Sequence, residues 1–287
     1  MLDATWKMAG ELGVFDAGWT SDHLSDASRP RGGVAFESLT TLAALAHRVP
    51  GLWLGVAVLA ATFRHPALVA KAATVLDNVT GGRFVLGLGA GWHEGEHAAF
   101  GIRLPEPVER FDRLEDALAT LHALFSPAAA TDVGVSLESP YFPLRGATNE
   151  PRTIRPDGPA IWLGGQRRRG IALAARYAEG WPMPGNRSGD VAYFAAKREE
   201  IRRALDEAGR DPDDFTFAAQ LDCGTSAATR RTALTTGQRF VEAGASHLIL
   251  GVPAGAGPDG LRGMAREVVE PMRDAFAQAA NQRHRPG

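Results

Sequence analysis

The chain has 287 residues, 45% hydrophobic and 22% charged, enough apolar material for one barrel-sized α/β core or two smaller domains. A formal net charge of -2 gives nucleic acid and anionic membranes no electrostatic hold, and the single cysteine, Cys223, excludes an internal disulfide, a Cys-rich metal site or a CxxC centre. No apolar run is long enough to span a bilayer and no signal peptide follows Met1, so the expected setting is cytosolic, with a small-molecule substrate.

The pattern predicts a helix over residues 4–12 and a strand over 14–20, which ends on Ser21-Asp22-His23. A helix over 38–48 and a strand over 52–58 follow. Pro66 opens the next helix, where its missing N–H costs little, and that helix runs to about residue 79. A strand over 84–89 runs straight into Gly87-Leu88-Gly89-Ala90-Gly91-Trp92. The helix over 110–125 carries Leu114, Leu118, Leu121 and Leu124 on one face. Residues 130–159 break the rhythm with several prolines and short β-like pieces, and read as an excursion loop. The alternation resumes with a strand over 161–164, a helix to 177, a strand over 180–183 and a helix over 191–208. It closes with a strand over 215–221, a helix over 228–243, a strand over 247–251 and a helix over 258–280.

Repeated strand–helix units this short mean a parallel sheet. They number roughly seven, where a closed (β/α)8 barrel needs eight. The chain opens on a helix, so the first strand is the one lacking. No linker or composition shift interrupts the run, which favours a single TIM-barrel domain over 1–287 rather than a doubly wound open sheet.

Four stretches can carry chemistry. The glycines before Trp92 let backbone approach a flat ligand, and the indole can cover one face of it. His23, with Asp22 beside it, sits at a strand end, where an imidazole can hydrogen-bond a ring or move a proton; an Asp-His pair capping a loop is the alternative. Trp162-Leu163-Gly164-Gly165-Gln166-Arg167-Arg168-Arg169-Gly170 opens a helix with three arginines that oppose its dipole. A bound phosphate reverses that penalty, and Arg64 and His65 extend the same cationic rim; a solvated arginine run is the alternative. His93-Glu94-Gly95-Glu96-His97 matches the H-E-x-x-H zinc motif, but glycines precede and interrupt it and no third ligand stands at a familiar spacing. The dinucleotide fingerprint fails because Trp92 stands where its third glycine belongs. Cys223 at a strand end reads as a small buried apolar residue.

Thr62-Phe63-Arg64-His65-Pro66-Ala67-Leu68-Val69-Ala70-Lys71, Gly81-Gly82-Arg83, Gly87-Leu88-Gly89-Ala90-Gly91-Trp92, Glu109-Arg110-Phe111-Asp112-Arg113-Leu114, Ile161-Trp162-Leu163-Gly164-Gly165 and Ala174-Ala175-Arg176-Tyr177-Ala178-Glu179-Gly180-Trp181 occur in that order. Together they resemble the luciferase-like monooxygenase family, most closely its deazaflavin-dependent branch. The resemblance implies a TIM barrel that binds coenzyme F420, or alternatively FMN, at the C-terminal ends of its strands. It places His23 by the redox ring, with Asp22 next to it. Ala57-Val58 falls where relatives carry a cis peptide in a bulge behind the ring. Ala90, Gly91 and Trp92 match the lining of the ribityl chain and ring edge, and Gly164, Gly165 and Gln166, with Arg169 after them, match the phosphate loop. Two departures stand out: the family's first strand is lacking, and Trp92 stands near the position where some sugar-phosphate-oxidising relatives place a glutamate acid. The implied activity is hydride transfer between the deazaflavin and an organic substrate, in a homodimer. The rivals are oxygen activation on FMN, a zinc hydrolase using His93, Glu94 and His97, and a degenerate barrel without cofactor.

Overall fold

Strands and helices alternate through the computed structural model, which describes residues 2–25, 34–253 and 255–283. In chain order they are α1 (Leu2–Leu12), β1 (Ala17–Thr20), α2 (Ser38–Leu45), β2 (Trp53–Ala60), α3 (Pro66–Thr80), β3 (Phe84–Gly89), α4 (Glu94–Ala99) and α5 (Pro107–Phe125). There follow β4 (Val135–Leu137), β5 (Leu144–Ala147), β6 (Ala160–Leu163), α6 (Arg168–Tyr177), β7 (Gly180–Pro182) and α7 (Val191–Glu207). The chain ends with β8 (Thr216–Asp222), α8 (Ala227–Glu242), β9 (His247–Gly251), α9 (Gly257–Met264), a π-helical turn (Ala265–Val269) and α10 (Glu270–Arg283). A helix precedes the first strand. The chain divides into two compact units, residues 17–173 and residues 1–16 with 174–287.

In the unit over 17–173, β1, β2, β3 and β6 lie side by side in that order, all parallel. Each strand therefore neighbours its predecessor in the parallel sheet, with no reversal of order. A doubly wound sheet reverses at a switch point, whereas a barrel winds in one direction. All six residues of β3 are buried, because helices and strands cover both faces. Leu54, Val56 and Leu59 of β2, Leu76 of α3, and Leu114 and Leu118 of α5 complete this core. Helix α3 starts where the His65 ring accepts from the Ala67 N–H and Pro66 follows, and it stops at Gly81, whose φ of 66° only glycine adopts freely. The excursion of residues 130–159 holds the antiparallel pair β4–β5. Asp77 ties it down: its carboxylate accepts from the Ile154 N–H at 2.6 Å.

The other unit carries β7, β8 and β9, parallel and again in chain order. Its core includes Leu221, Val241, Leu261, Met264, Val268 and Met272, with Met8 and Leu12 of α1 packed against it. Cys223 is fully buried in this cluster, and burial first, then the Asp222 carboxylate, push its thiol up to about 12. That fits apolar packing and no nucleophilic role.

Predicted elements and structure differ in three places. The first strand begins at Ala17 rather than residue 14, after Gly13 turns at a φ of 63°. The tail is two helices joined by the π-turn rather than one. Residues 94–99, where the pattern predicts no element, form α4 despite Gly95. The sequence also leaves residues 26–36 as a loop placed to cover the site, and of these residues 26–33 lie outside the described residues.

Candidate functional site

Because β1, β2, β3 and β6 are parallel and in register, with Ala17 opposite Trp53, Gly55 opposite Val85 and Leu88 opposite Leu163, their C-terminal ends share one edge. That edge carries residues 21–25, 61–64, 90–93 and 164–169. All belong to the unit over 17–173.

Asp22 is buried, and its carboxylate accepts four hydrogen bonds. Arg64 donates through Nη1 to Oδ2 and through Nη2 to Oδ1, both at 2.8 Å; Ser38 Oγ donates at 2.7 Å and the Ala60 N–H at 2.9 Å. This clamp joins the ends of β1 and β2 to the start of α2. Arg64 also pairs with Glu37, which caps α2 through the Thr40 N–H. Burial works against both charges, yet these contacts hold the Glu37 carboxyl below and the Arg64 guanidinium above their ordinary values. Asp22 thus anchors loops, and Arg64 is committed to it rather than to a cationic rim. His65 is spent capping α3, with its ring edge-on to Phe142.

His23 is half-exposed, and its Nδ1 lies 3.1 Å from Glu96 Oε2. Its ring meets Trp92 edge-on at 6.2 Å between centroids. Trp92 itself is 68% exposed, which leaves much of its indole open to a ligand.

The Ala57–Val58 peptide is cis, within a shift of the β2–β3 register between Val56 and Leu59. The glycines of β3 make room for this bulge. A Cβ at Gly87 would lie 2.0 Å from the Val56 carbonyl oxygen, and one at Gly89 would lie 2.9 Å from Val58 Cγ2. Gly91, at a φ of 80°, comes so close to Thr62 that a Cβ would lie 2.4 Å from its hydroxyl. Arg110 of α5 donates to the Gly91 carbonyl at 2.8 Å and so fixes the turn that presents Ala90 and Trp92. Most of the glycine-rich stretch therefore serves the protein's own backbone.

At the end of β6, the Gly164 N–H continues the ladder to Leu88 O at 2.8 Å. Gly165 packs on Gly170, where a Cβ on either would come within 2.9 Å of the other. Gln166, Arg167 and Arg168 are exposed at the start of α6. Arg169, expected on the phosphate, turns instead to α5: it donates to Asp112 Oδ1 at 2.5 Å and to Glu115 Oε2 at 3.4 Å. The two arginines before it are the ones exposed beside the loop.

The H-E-x-x-H stretch is helical but holds no zinc geometry. His93 caps α4 by accepting from the Glu96 N–H at 2.9 Å. His97 uses both ring nitrogens, with Nδ1 at 2.8 Å from His93 O and Nε2 at 2.8 Å from Thr62 Oγ1. A carbonyl only accepts, so Nδ1 donates to it and the Nε2 lone pair takes the Thr62 proton. Glu94 is exposed. Among the described residues no three His, Cys, Asp or Glu side chains gather as a metal site, and the zinc reading is corrected accordingly.

Sequence reasoning missed Glu96 and Arg110 as working residues. The signal for Glu96 was its spacing: with His93 as the cap, it is the third residue of the helix, whose side chain turns inward while Glu94 faces solvent.

A ring-shaped ligand with an anionic tail fits what this edge offers. Trp92 is open, the backbone at Gly164 has no Cβ between it and Val58, and two arginines stand free in solvent. Thr20 Oγ1 and Arg110 Nε are buried there without hydrogen-bond partners among the described residues. Native structures leave few such atoms unpaired, and a bound ligand is one way they are satisfied.

Parallel strands in chain order, with their polar residues at the C-terminal ends, define the class: an α/β protein of the TIM-barrel type. The chain belongs to the luciferase-like monooxygenase family, whose profile matches residues 5–284. It is 38% identical over 204 residues to the phthiodiolone/phenolphthiodiolone dimycocerosates ketoreductase of Mycobacterium bovis (strain BCG / Pasteur 1173P2), covering 70% of this chain and 51% of that protein. It is 32% identical over 219 residues to the F420-dependent glucose-6-phosphate dehydrogenase of Nakamurella multipartita, covering 76% of this chain and 62% of that protein. The chain thus spans about half the length of the ketoreductase it matches. Its fold is shared with the coenzyme F420-dependent tetrahydromethanopterin reductase of Methanopyrus kandleri, at a TM-score of 0.74, 16% identity and 94% coverage of both chains. Among the described residues no helix is long and apolar enough to cross a membrane.

Proposed function

We propose that this chain is an oxidoreductase that transfers a hydride between coenzyme F420 and an organic substrate. The observation that carries the reading is the shared strand edge. It holds His23, the Ala57–Val58 bulge, Ala90, Gly91 and exposed Trp92 near one another, with Gly164, Gly165 and Gln166 at the neighbouring strand end. The F420 dependence in the name of the Nakamurella relative supports the deazaflavin over FMN, and the ketoreductase relative directs a first substrate panel to ketones and secondary alcohols.

When bound, the deazaflavin supplies the hydride chemistry. This chain's residues bind and orient. Trp92 and the bulge would hold the ring, and the backbone of Gly164–Gln166 with Arg167 and Arg168 would hold the phosphate at the start of α6. His23 would hydrogen-bond the ring or substrate and would accept or donate a proton at its imidazole. Asp22 acts at one remove, by fixing the loop that carries His23 through Arg64, Ser38 and Ala60. The reading extends to a cytosolic homodimer.

Fluorescence titration of the purified chain with F420 and, separately, FMN tests it. Saturable F420 binding that weakens in Trp92→Ala and in the Arg167→Ala, Arg168→Ala double variant is expected. Tighter FMN binding selects the oxygen-activating alternative, and binding of neither overturns the oxidoreductase reading.

A further inference from the structure

We propose that Glu96 is the positioning residue for His23: it fixes the tautomer of the ring and makes Nε2 the nitrogen that works as base.

In a capping box, a glutamate at the third residue of a helix reaches back to the backbone N–H of the Ser or Thr cap. Glu96 does not. It stands in that position behind His93, yet its side chain reaches a loop 73 residues upstream. Oε1 accepts from the Leu24 N–H and from the Ser25 N–H at 3.0 Å, while Oε2 faces His23 Nδ1 at 3.1 Å. The side chain is 1% exposed, against 31% for that of His23. Burial works to raise the Glu96 carboxyl, but the bonds from Ser25, His23 and Leu24 outweigh it and hold the group below its ordinary value. Glu96 is therefore an anion near neutral pH, and an ionised carboxylate only accepts. Nδ1 of His23 must carry its proton toward Glu96. In the neutral ring that leaves the Nε2 lone pair as the only acceptor.

The helix carrying Glu96 is itself secured. His93 caps its start, and His97 bonds both His93 O and Thr62 Oγ1 at the end of β2. The sequence that resembles a zinc motif is thus a bracket for one carboxylate. The inference rests on the proposed hydride transfer only for what Nε2 meets; the tautomer is a property of the ligand-free chain.

The test is long-range 1H–15N correlation NMR on the labelled, ligand-free protein, at a pH where the His23 ring is neutral. A hydrogen bond to a charged acceptor favours its tautomer by about tenfold or more, so the Nδ1–H form is expected in that excess. Predominant Nε2–H in the wild type overturns the proposal. In Glu96→Gln the two backbone N–H groups keep the amide oxygen, which turns the amide NH2 toward His23 Nδ1. The ratio then reverses to favour Nε2–H, and an unchanged ratio overturns the proposal. Glu96→Asp is a further variant: it keeps the charge but pulls it back by one methylene, and the Nδ1–H excess should shrink toward parity. F420 affinity stays at the wild-type level in Glu96→Gln, while the hydride-transfer rate falls by about 100-fold or more. If the wild type binds neither F420 nor FMN, the oxidoreductase reading fails, and the NMR ratio still decides the role of Glu96.

Discussion

The two glycine-rich stretches at the strand ends, 87–91 and 164–170, are alike in sequence and do different work. In the first, Gly87, Gly89 and Gly91 are each filled against by protein: the Val56 carbonyl, the Val58 side chain and the Thr62 hydroxyl. In the other, Gly165 and Gly170 pack on one another, and the segment between them stands exposed with two solvent-facing arginines. Absence of a Cβ marks close approach in both cases, but what approaches differs. The stretch over 87–91 is closed by the protein's own atoms, whereas the stretch over 164–170 leaves two arginine side chains in solvent.

Substituting the glycines separates the two roles. Gly87→Ala sets a methyl against backbone that has no rotamer to yield, so it should destabilise the fold by about 3 kcal/mol or more, at or beyond the upper end of overpacking costs, as read by urea unfolding. A loss below about 1 kcal/mol there breaks the comparison. Removing charge from the stretch over 164–170 should act on binding instead. Arg167→Ala with Arg168→Ala should weaken F420 by about thirtyfold, at roughly 1 kcal/mol for each of the two exposed contacts, with unchanged stability. Arg169→Ala should cost less affinity than that pair, because its guanidinium is already held by Asp112 and Glu115; the reverse order returns the phosphate to Arg169. Gly164→Ala sharpens the contrast further. Its Cβ would meet only Val58 Cγ2 at 3.3 Å and Leu88 O at 3.6 Å, so stability should fall by about 1 kcal/mol or less while cofactor affinity drops. The smallest effect is expected at Gly95, in α4 and outside both stretches. Gly95→Ala meets nothing closer than 3.4 Å and should raise stability by about 0.5–1 kcal/mol, measured by thermal unfolding.

Much of this was legible in the chain. The parallel strands announced themselves as short apolar runs between amphipathic helices, and β3 and β9 fall at their expected bounds. The cis peptide at Ala57–Val58 stands where the family resemblance put it. Partnerships were not legible. Nothing in the pair Asp22-His23 says that Asp22 is consumed by Arg64 and Ser38 while His23 faces outward, because those partners lie 42 and 16 residues away. The family resemblance singled out Arg169 for the phosphate, but a run of like residues does not show which one a helix turns toward the carboxylates of α5. The H-E-x-x-H match, discounted on sequence for its glycines and lack of a third ligand, shows a related limit: a motif fixes spacing along a helix, whereas a metal site also needs free lone pairs, and His97 has none to offer.

Helix α5 touches both glycine-rich stretches. Arg110 holds the Gly91 carbonyl, and two residues on Asp112 holds Arg169, so the two attachments sit about 3 Å apart along the axis. A helix does not stretch over that distance. The turn beneath the indole and the turn before α6 are therefore gauged from a single rigid bar, and the interval between them is set in the way a jig sets two drill holes. A ligand with a longer or shorter link between ring and anion would find neither turn free to shift alone.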